Sequence, residues 1–471
     1  MKKVALILFI VCLSLYSAQK WNCTFDFDSG SEFAKSVIQT SDSCYILTGG
    51  NDNETLTLKT DHNGNLLWNS NHFALMASGE EILEVDDGYL VCGWSKGLGG
   101  EWYALLNKYG FDGDTLLTSY YPNENPSFCD GCFSIVQTSD GGFALPVNIH
   151  DPYLFKLNES YEEQWVSPTY ETFQNGAEGR SILQMDDFGY IVVGFEFEKY
   201  SLPDSSNVFI YKTDSLGNYE WSKTFGDSLN DDRAFKVLPT DNNSFLISGY
   251  TETYGAGGKD AWLIKTDSLG NEIWNKTYGG MSDDYCYSMS ETQDGNYVLI
   301  GSTSSYGNGL QDVWLIKVDP EGNELWNETY GDSLDDVGYS VKPTFDGGYI
   351  ITGYTNGAGG KDIWLIKTDE NGVTSIDPDL SGIITNYDLK QNYPNPFNPT
   401  TTIRFNLKVK SNIKISVFNS KGELLLTLFE GTKDKGNHSI NFDASYLNSG
   451  VYFYRLTSDG KAQTKKMLYL R

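Results

Sequence analysis

Hydrophobic positions along this chain occur in short runs that fit strands, and no amphipathic helix is predicted after residue 20. Three of the runs, Asp260–Asp267, Asp312–Asp319 and Asp362–Asp369, have nearly the same sequence. Runs of this kind recur about every fifty residues, a period typical of solenoids, propellers and arrays. The repeat is therefore the unit from which the fold must be built.

One period predicts four strands, illustrated by Gly338–Lys342, Tyr349–Tyr354, Ile363–Thr368 and, from an earlier copy, Glu272–Tyr278. Turns rich in Asp and Gly separate these strands. The second and third strands are apolar on both faces, so both faces must be covered. Four-stranded blades stacked around an axis satisfy this requirement, and a β-helix would need a much shorter period.

The number of copies follows from the aromatic residue that opens each second strand. It occurs seven times, at Tyr45, Tyr89, Phe143, Tyr190, Phe245, Tyr297 and Tyr349. The fourth strand occurs only six times before the repeats end, with Trp at 68, 165, 221, 274 and 326 and Leu117 in the second copy. The segment Trp21–Phe25 matches Trp326–Tyr330, so we expect it to supply the missing strand to the last blade. The predicted fold is all-β: a seven-bladed β-propeller closed by its N-terminal strand, followed by a small Ig-like β-sandwich.

The first residues predict export. Lys2 and Lys3 precede the apolar run Val4–Leu15, which is too short to span a bilayer, and small residues follow it. We interpret residues 1–18 as a signal peptide and no other segment as membrane-spanning. Export permits disulfides, and the pair Cys129 and Cys132 predicts a small loop staple or two free thiols.

Charge divides the chain. The formal net charge is −29, yet from Tyr387 onward there are 13 Lys and Arg against 6 Asp and Glu. An acidic body with a basic tail indicates two domains, which we place at 19–372 and 392–471 with a linker at 373–391. The acidic body should repel nucleic acid and anionic membranes.

Pairs of aspartates mark one predicted rim of the ring. They stand in the loops that lead into successive blades, beside Gly-rich loops: Asp231, Asp232, Asp283, Asp284, Asp335 and Asp336. Carboxylates on one rim favour a cation such as Ca²⁺, or a glycan or protein ligand. The alternative is that these aspartates only accept backbone hydrogen bonds in tight turns.

No enzyme motif is present. The chain lacks a Gly-x-Ser-x-Gly elbow, His-Glu-x-x-His and a phosphate-binding loop, although paired acids of a glycoside hydrolase or lyase stay open as an alternative. The Asp267-x-x-Gly270 turns fail the spacing of sialidase boxes. We interpret the repeated tryptophans as docking groups between blades.

Residues 392–471 begin with Asn-Tyr-Pro-Asn-Pro-Phe. Near their end stand a strand with the pattern Gly-x-Tyr-x-Tyr and the residues Lys-Lys-Met. The motif residues are Asn392, Tyr393, Pro394, Asn395, Pro396, Gly450, Tyr452, Lys465 and Lys466. The segment resembles the type A C-terminal sorting domain of type IX secretion system cargo. This resemblance implies interaction with the secretion machinery, and then release or attachment at the cell surface.

The repeats themselves resemble an abundant class of exported bacterial propeller repeats. That resemblance specifies the fold and implies no particular ligand. From the sequence we expect a secreted or cell-surface binding or adhesion propeller without a required cofactor. The alternative function is a secreted propeller enzyme that acts on polysaccharide.

Overall fold

A computed structural model describes residues 20–374 and 387–470, apart from gaps at 28–29, 52, 74–75, 98–99, 122–130, 150, 168–175, 198–204, 228, 358–359, 391, 393, 408–409, 420–423 and 459–460. The predicted signal peptide, most of the predicted linker, Tyr393 and Cys129 lie outside the described residues. The chain divides into two compact units, residues 1–375 and 376–471, and each is treated separately below.

The described part of the first unit forms seven antiparallel sheets that follow one another along the chain. Their strands, from first to fourth, are as follows. Sheet 1 contains Phe33–Gln39, Tyr45–Gly50, Glu54–Thr60 and Leu66–Phe73. Sheet 2 contains Met76–Val85, Gly88–Lys96, Trp102–Tyr109 and Thr115–Tyr121. Sheet 3 contains the two pieces Gly131–Cys132 and Val136–Gln137, then Phe143–Ile149, Asp151–Leu157 and Glu163–Val166.

The remaining sheets are more regular. Sheet 4 contains Ala177–Gln184, Tyr190–Phe197, Ser206–Thr213 and Tyr219–Phe225. Sheet 5 contains Arg233–Thr240, Ser244–Thr251, Asp260–Thr266 and Glu272–Tyr278, with a 3₁₀ turn at Asp241–Asn243. Sheet 6 contains Asp284–Glu291, Tyr297–Thr303, Asp312–Val318 and Glu324–Tyr330. Sheet 7 contains Asp336–Pro343, Tyr349–Gly357 and Gly360–Thr368.

The fourth strand of sheet 7 comes from the beginning of the described chain. Trp21–Phe25 pairs antiparallel with the third strand, and Trp21 faces Lys367 while Phe25 faces Ile363. The sequence match between Trp21–Phe25 and Trp326–Tyr330 predicts this pairing. A strand from one end of the repeat array thus completes a sheet at the other end.

Hydrophobic clusters lie between sheets that are consecutive in the chain. For example, Ile191 and Val193 of sheet 4 pack with Val237 and Phe245 of sheet 5. One cluster joins Ala34 and Leu47 of sheet 1 to residues of sheet 7 such as Ile350 and Leu365. Because both faces of each sheet are covered in this way, the second and third strands can be apolar on both sides.

A buried lysine in the third strand repeats with the sheets. Its ammonium group forms an ion pair with the aspartate of the turn between the first and second strands. The pairs are Lys59–Asp42, Lys108–Asp87, Lys156–Asp140, Lys212–Asp187, Lys317–Asp294 and Lys367–Asp346, at 2.6 to 3.0 Å. This contact explains why the Asp-Gly turn and the Lys of the third strand recur together.

The second unit is a β-sandwich of two sheets. One sheet has the order Tyr387–Leu389, Thr400–Leu407, Gly436–Asp443. The other has the order Leu424–Lys433, Ser411–Asn419, Gly450–Ser458, Lys461–Tyr469. Alternate residues such as Ile403, Ile415 and Leu456 are fully buried between them. The alternation of apolar and polar residues along these short strands predicts this arrangement.

Candidate functional site

The first strands carry a β-bulge at the same place in six of the seven sheets. Pairing with the second strand skips one residue between Ala34 and Ser36, Gly79 and Glu81, Gly179 and Ser181, Ala234 and Lys236, Cys286 and Ser288, and Gly338 and Ser340. The skipped residues are Lys35, Glu80, Arg180, Phe235, Tyr287 and Tyr339. A bulge leaves the extra residue unpaired and redirects its side chain.

These skipped residues line one cavity of about 250 Å³. Phe133 of sheet 3, which lies between the two pieces of that first strand, joins them. Every sheet therefore contributes one side chain of this kind, and we call the cavity the central pocket. Deeper residues of the same strands complete its lining, namely Ser36, Glu81, Lys236, Ser288, Ser340 and Lys342.

Aromatic rings form one side of the central pocket. The ring centroid of Tyr287 lies 5.5 Å from that of Phe235 and 5.2 Å from that of Tyr339. The ammonium group of Lys35 lies 3.4 Å from the centroid of the Tyr339 ring, a cation–π contact. The result is a continuous aromatic wall with a cation at its end.

An ion pair between non-adjacent sheets crosses the pocket. Lys236 Nζ of sheet 5 lies 2.7 Å from Glu81 Oε1 of sheet 2. Glu81 Oε2 also accepts hydrogen bonds from Ser134 Oγ at 2.7 Å and from the Ile135 backbone N–H at 3.0 Å. Burial raises the pKa of Glu81, but Lys236 and Ser134 outweigh this effect and hold the pKa below its usual value. The Glu81 carboxylate is therefore ionised and fully engaged.

Three cationic groups of the pocket keep unused donors. Among the described residues, Lys35 and Lys342 form no hydrogen bond or ion pair, and Arg180 Nε has no hydrogen-bond partner. Arg180 forms an ion pair with Glu178 through its other end and lies 3.8 Å above the Phe133 ring. Burial lowers the pKa of Lys35, and burial together with neighbouring Lys236 lowers the pKa of Lys342 to about 8. Ammonium and guanidinium groups that keep unused donors inside a cavity are typical of binding sites.

The second aspartate of each predicted pair lies buried beside the loops, where it accepts hydrogen bonds. Asp284 accepts from Ser305 Oγ at 2.7 Å and from the Gly280 N–H at 2.8 Å. Asp232 has a similar environment and accepts from Thr253 Oγ1 at 2.6 Å. Asp336 accepts from the Asp332 N–H at 2.9 Å. Each of these carboxylates holds the backbone of a neighbouring loop.

The first aspartates of the pairs differ from one another. Asp231 is buried and bonds Lys259 Nζ at 2.6 Å, Arg233 Nε at 2.8 Å and Tyr250 Oη at 2.7 Å. Asp283 is exposed and accepts from the Lys259 N–H at 3.0 Å, whereas Asp335 is half-buried. The structure thus does not gather the six predicted aspartates into one cluster. Whether they bind a ligand stays a prediction.

Tyrosines connect this acidic rim to the central pocket. Tyr250 Oη donates to Asp231, and its ring lies 5.8 Å from that of Phe235. The Tyr285 ring stacks on Tyr287 at 5.7 Å, and its hydroxyl lies 3.5 Å from Asp283. Tyr250 and Tyr285 therefore contact both the predicted aspartates and residues that line the central pocket.

At two junctions between sheets, the predicted Asp284 and Asp336 each lie near an aspartate that sequence reasoning missed, Asp260 and Asp312 respectively. Asp260 and Asp284 both face the space above Gly279, where an added Cβ would lie 2.1 and 2.7 Å from their oxygens. Asp312 and Asp336 face the space above Gly331 in the same way. The sequence does contain a sign of these aspartates, since Asp260 and Asp312 both stand at the start of a third strand.

The equivalent junction of sheets 7 and 1 contains three carboxylates. Oxygens of Asp26, Glu32 and Asp362 lie within 4.8 Å of one another, close enough to hold a cation. Burial and the charge of Asp26 raise the pKa of Asp362. None of the three belongs to the aspartate pairs proposed from the sequence as a cation site.

The tail motif joins the two ends of the second unit. Asn392 is buried and donates to Pro394 O at 3.1 Å and to Thr401 Oγ1 at 2.9 Å. Asn395 Oδ1 accepts from the Leu468 N–H at 2.8 Å. The first residues of the motif thus hold the last strand.

The other motif residues lie on the last two strands. Gly450 pairs with Tyr469, and Tyr452 Oη donates to Asn448 O at 2.8 Å. Lys465 is half-buried and Lys466 is exposed.

Residues 391–469 match the family described as the secretion system C-terminal sorting domain. The chain therefore carries a type IX secretion system sorting domain at its C-terminus, after a series of antiparallel sheets that are mostly four-stranded. It is exported through the type IX secretion system to the cell surface or beyond, and the sorting domain implies an interaction with that machinery. Among the described residues, no helix has the length and hydropathy needed to cross a membrane.

No curated protein matches the chain. Among solved structures, a protein of unknown function from Bacteroides caccae aligns with a TM-score of 0.41 and 14% identity, over 62% of this chain and 98% of its own. The CNH domain of AfRom2 has a TM-score of 0.41 and 9% identity, with 74% and 97% covered. An endo-arabinase from Bacteroides thetaiotaomicron VPI-5482 has a TM-score of 0.31 and 12% identity, with 54% and 95% covered. Similarities this weak carry no argument about activity.

Proposed function

We propose that residues 19–372 form a closed seven-bladed propeller, preceded by a signal peptide at 1–18 and joined by a linker at 373–391 to a sorting domain at 392–471. The pairing of Trp21–Phe25 with the last sheet supports closure. So does the hydrogen bond from the Val37 N–H of sheet 1 to Ser340 Oγ of sheet 7 at 3.4 Å. A closed ring leaves no incomplete blade at its ends and only short, protected sheet edges, which suits a protein that must stay folded outside the cell.

The propeller serves as a secreted or surface-displayed binding module, and its ligand occupies the central pocket. The observation that carries this proposal is the set of bulges, which directs one non-equivalent side chain per sheet into one cavity. Binding sites are concave and combine apolar walls with a few convergent polar groups. The central pocket has this composition.

The exposed members of the aspartate pairs border the mouth of the pocket and contribute to specificity. Asp283, beside Tyr285, is the best placed, and Asp335 is partly accessible. Asp231, Asp232, Asp284 and Asp336 act through the loops that they hold. A cation such as Ca²⁺ at this rim is part of the same proposal.

Catalysis on polysaccharide is the weaker alternative. Cleavage of a glycosidic bond requires two carboxyl groups on either side of the bond, one of them free to transfer a proton. Glu81 is committed to Lys236, and Glu80 accepts a hydrogen bond from Trp94 Nε1 at 2.9 Å. This arrangement favours recognition over hydrolysis.

The test is a screen of the full secreted chain on glycan and peptide arrays. Wild type is compared with the pocket variants Phe133→Leu and Tyr287→Leu, the rim variant Asp283→Asn, and Leu269→Ala as an exposed control. We expect the pocket variants to lose the principal signal and the control to keep it. A signal that survives both pocket variants and disappears in the rim variant would overturn the proposal.

A further inference from the structure

The central pocket differs in charge from the rest of the propeller. Residues 21–386 contain 18 Lys and Arg against 57 Asp and Glu. The pocket, in contrast, is lined by four basic side chains, Lys35, Arg180, Lys236 and Lys342, and two acidic ones, Glu80 and Glu81. A cationic cavity inside an acidic body selects for a negative group on the ligand.

Three of the four cationic side chains keep hydrogen-bond donors that no other described residue uses. Lys236 is neutralised by Glu81, whereas Lys35 and Lys342 have no ion-pair partner among the residues that the structure describes. Arg180 adds an unused Nε–H, and its guanidinium carbon lies 3.8 Å from the centroid of the Phe133 ring. Guanidinium and ammonium donors that converge on one cavity match the oxygens of a carboxylate.

The aromatic wall indicates what carries that carboxylate. Phe235, Tyr287 and Tyr339 present ring faces and edges to the cavity, and Glu80 and the serines add acceptors and hydroxyls. Such a mixture suits a saturated ring that has apolar C–H faces and hydroxyl groups. A small inorganic anion would leave the aromatic wall without a contact.

The size of the cavity limits the ligand. Its volume, about 250 Å³, is slightly below the range of roughly 300–1,000 Å³ typical of pockets for drug-sized molecules. One sugar-sized ring fits this space, and a long chain would have to leave past the acidic rim at Asp283. A single terminal residue is therefore favoured over a polyanion.

We propose that the central pocket binds a carboxylated sugar, with the carboxylate between Lys35, Arg180 and Lys342 and the ring on the aromatic wall. This proposal rests on the proposed function, since it assigns the ligand class of the same pocket. Lys35 and Lys342 hold the carboxylate by charge, and Arg180 orients it through Nε.

The experiment uses the full secreted chain and four probes: D-glucuronate, D-glucose, acetate and inorganic phosphate. Titration calorimetry measures binding of each probe to wild type, to Arg180→Gln and to Lys342→Gln. Lys223→Gln, an exposed position on the fourth strand of sheet 4, is the control. We expect glucuronate to bind about tenfold or more tightly than glucose or acetate. Each pocket variant should lose about tenfold for glucuronate and leave glucose unchanged, and the control should resemble wild type.

Each other result would overturn the proposal in a recognisable way. Equal binding of glucose and glucuronate would show a neutral-sugar site, and equal binding of acetate or phosphate would show a site for anions alone. No glucuronate binding, together with an array signal that depends on Phe133 and Tyr287, would reject the sugar acid and keep the pocket. An array signal independent of the pocket would reject the proposed function itself.

Discussion

The fourth strands of the sheets, which we call the outer strands, repeat one residue type, whereas the first strands, which we call the inner strands, vary at the bulge. On the outer strands, a tryptophan packs against the turn glycine of the next sheet at nearly every junction. The contacts are Trp21–Gly64, Trp68–Gly113, Trp165–Gly217, Trp221–Gly270, Trp274–Gly322 and Trp326–Gly372, and a Cβ on any of these glycines would lie 2.5 to 2.8 Å from the indole ring. On the inner strands, the equivalent bulge positions carry Lys, Glu, Phe, Arg and Tyr.

The comparison separates structural from functional positions without any homologous sequence. A residue that solves the same packing problem in every sheet is repeated, and the tryptophans do so by docking each sheet on its neighbour. A residue that meets a single ligand has no reason to repeat. Variation at the bulge positions is therefore the mark of the site.

One junction breaks the outer rule and supports its physical basis. Sheet 2 has Leu117 in place of the tryptophan, and the facing turn of sheet 3 has Tyr161 in place of the glycine, with a φ of 64°. A small and a large residue have thus exchanged places across the junction. The larger side chain comes from the turn at this junction and from the fourth strand at the other six.

The largest effect should come from removing a repeated tryptophan. We expect Trp221→Ala to lower the free energy of unfolding by about 3 kcal/mol, because the indole fills the space over Gly270. Urea unfolding of the secreted chain measures the change. The exposed neighbour Leu269→Ala should change it by less than about 0.5 kcal/mol. Equal effects of the two substitutions would remove the distinction between docking and surface positions.

Removal of a pocket lysine should stabilise the protein, whereas removal of a repeated tryptophan should destabilise it. The pKa of Lys342 is lowered to about 8, first by burial and then by Lys236, while Glu81 partly offsets this. The charged form is therefore disfavoured in the fold, and the stability of wild type should rise as pH increases from about 8 to 10.

Replacement of the lysine tests this expectation. Lys342→Met should raise the free energy of unfolding by about 2 kcal/mol at pH 7, and the gain should vanish near pH 10. Lys342→Arg keeps the charge and should show no gain. A loss of stability in Lys342→Met at pH 7 would mean that the lysine stabilises the fold. It would then count against the view that the pocket positions serve a ligand and not stability.

The Leu and Tyr pair found between sheets 2 and 3 can be introduced at the junction that has Trp221 and Gly270. We expect Trp221→Leu and Gly270→Tyr each to destabilise the protein, and the double variant to be about 1 kcal/mol more stable than their sum predicts. A complete double-mutant cycle of urea unfolding measures the coupling. Strict additivity would mean that Leu117 and Tyr161 do not compensate each other.

The smallest effect concerns a repeated feature that opposes stability. Burial, followed by Asp332 and Asp312, raises the pKa of Asp336 to about 6. A raised carboxyl pKa contributes stability below about pH 4 that is lost as pH rises through 6. Asp312→Asn removes one of the repelling charges, and Asn207 is a natural precedent at the equivalent place beside Asp232.

We expect Asp312→Asn to gain about 0.5–1 kcal/mol at pH 7 and nothing at pH 4, measured by urea unfolding at both values. Asp267→Asn, in an exposed turn, is a matched control that should show no such gain at pH 7. A gain that is the same at both pH values would exclude charge repulsion as its cause.

Much of the fold could be predicted because its signals are local. The second and third strands of the sharpest copies fall where the apolar runs predict them, since a strand buried on both faces leaves a continuous run. The pairing of Trp21–Phe25 was predictable because this segment repeats the sequence of a fourth strand. The seven predicted copies correspond to seven sheets in the described residues.

The candidate site was less predictable. Sequence analysis selected the aspartate pairs because carboxylates and Gly-rich loops share one predicted rim, with hydrogen bonding in turns as the alternative. In the structure Asp232 and Asp284 accept hydrogen bonds from neighbouring loops. The pocket residues attract no attention in the sequence because the seven copies carry five different residue types at that position. The repeated lysine and turn aspartate were visible, but their ion pairs were not.

By itself, the sequence determined the repeat, the strand types, the phase of the chain and the sorting domain, because period, turn residues and motifs act over a few positions. Only the tertiary structure decided that Lys35, Arg180 and Lys342 share one cavity, since they lie in three different sheets. A bulge adds a single residue and leaves no mark in the hydrophobic pattern, yet it turns a side chain from the sheet into the pocket. The ligand site that we propose therefore depends on contacts between distant sheets that no local pattern encodes.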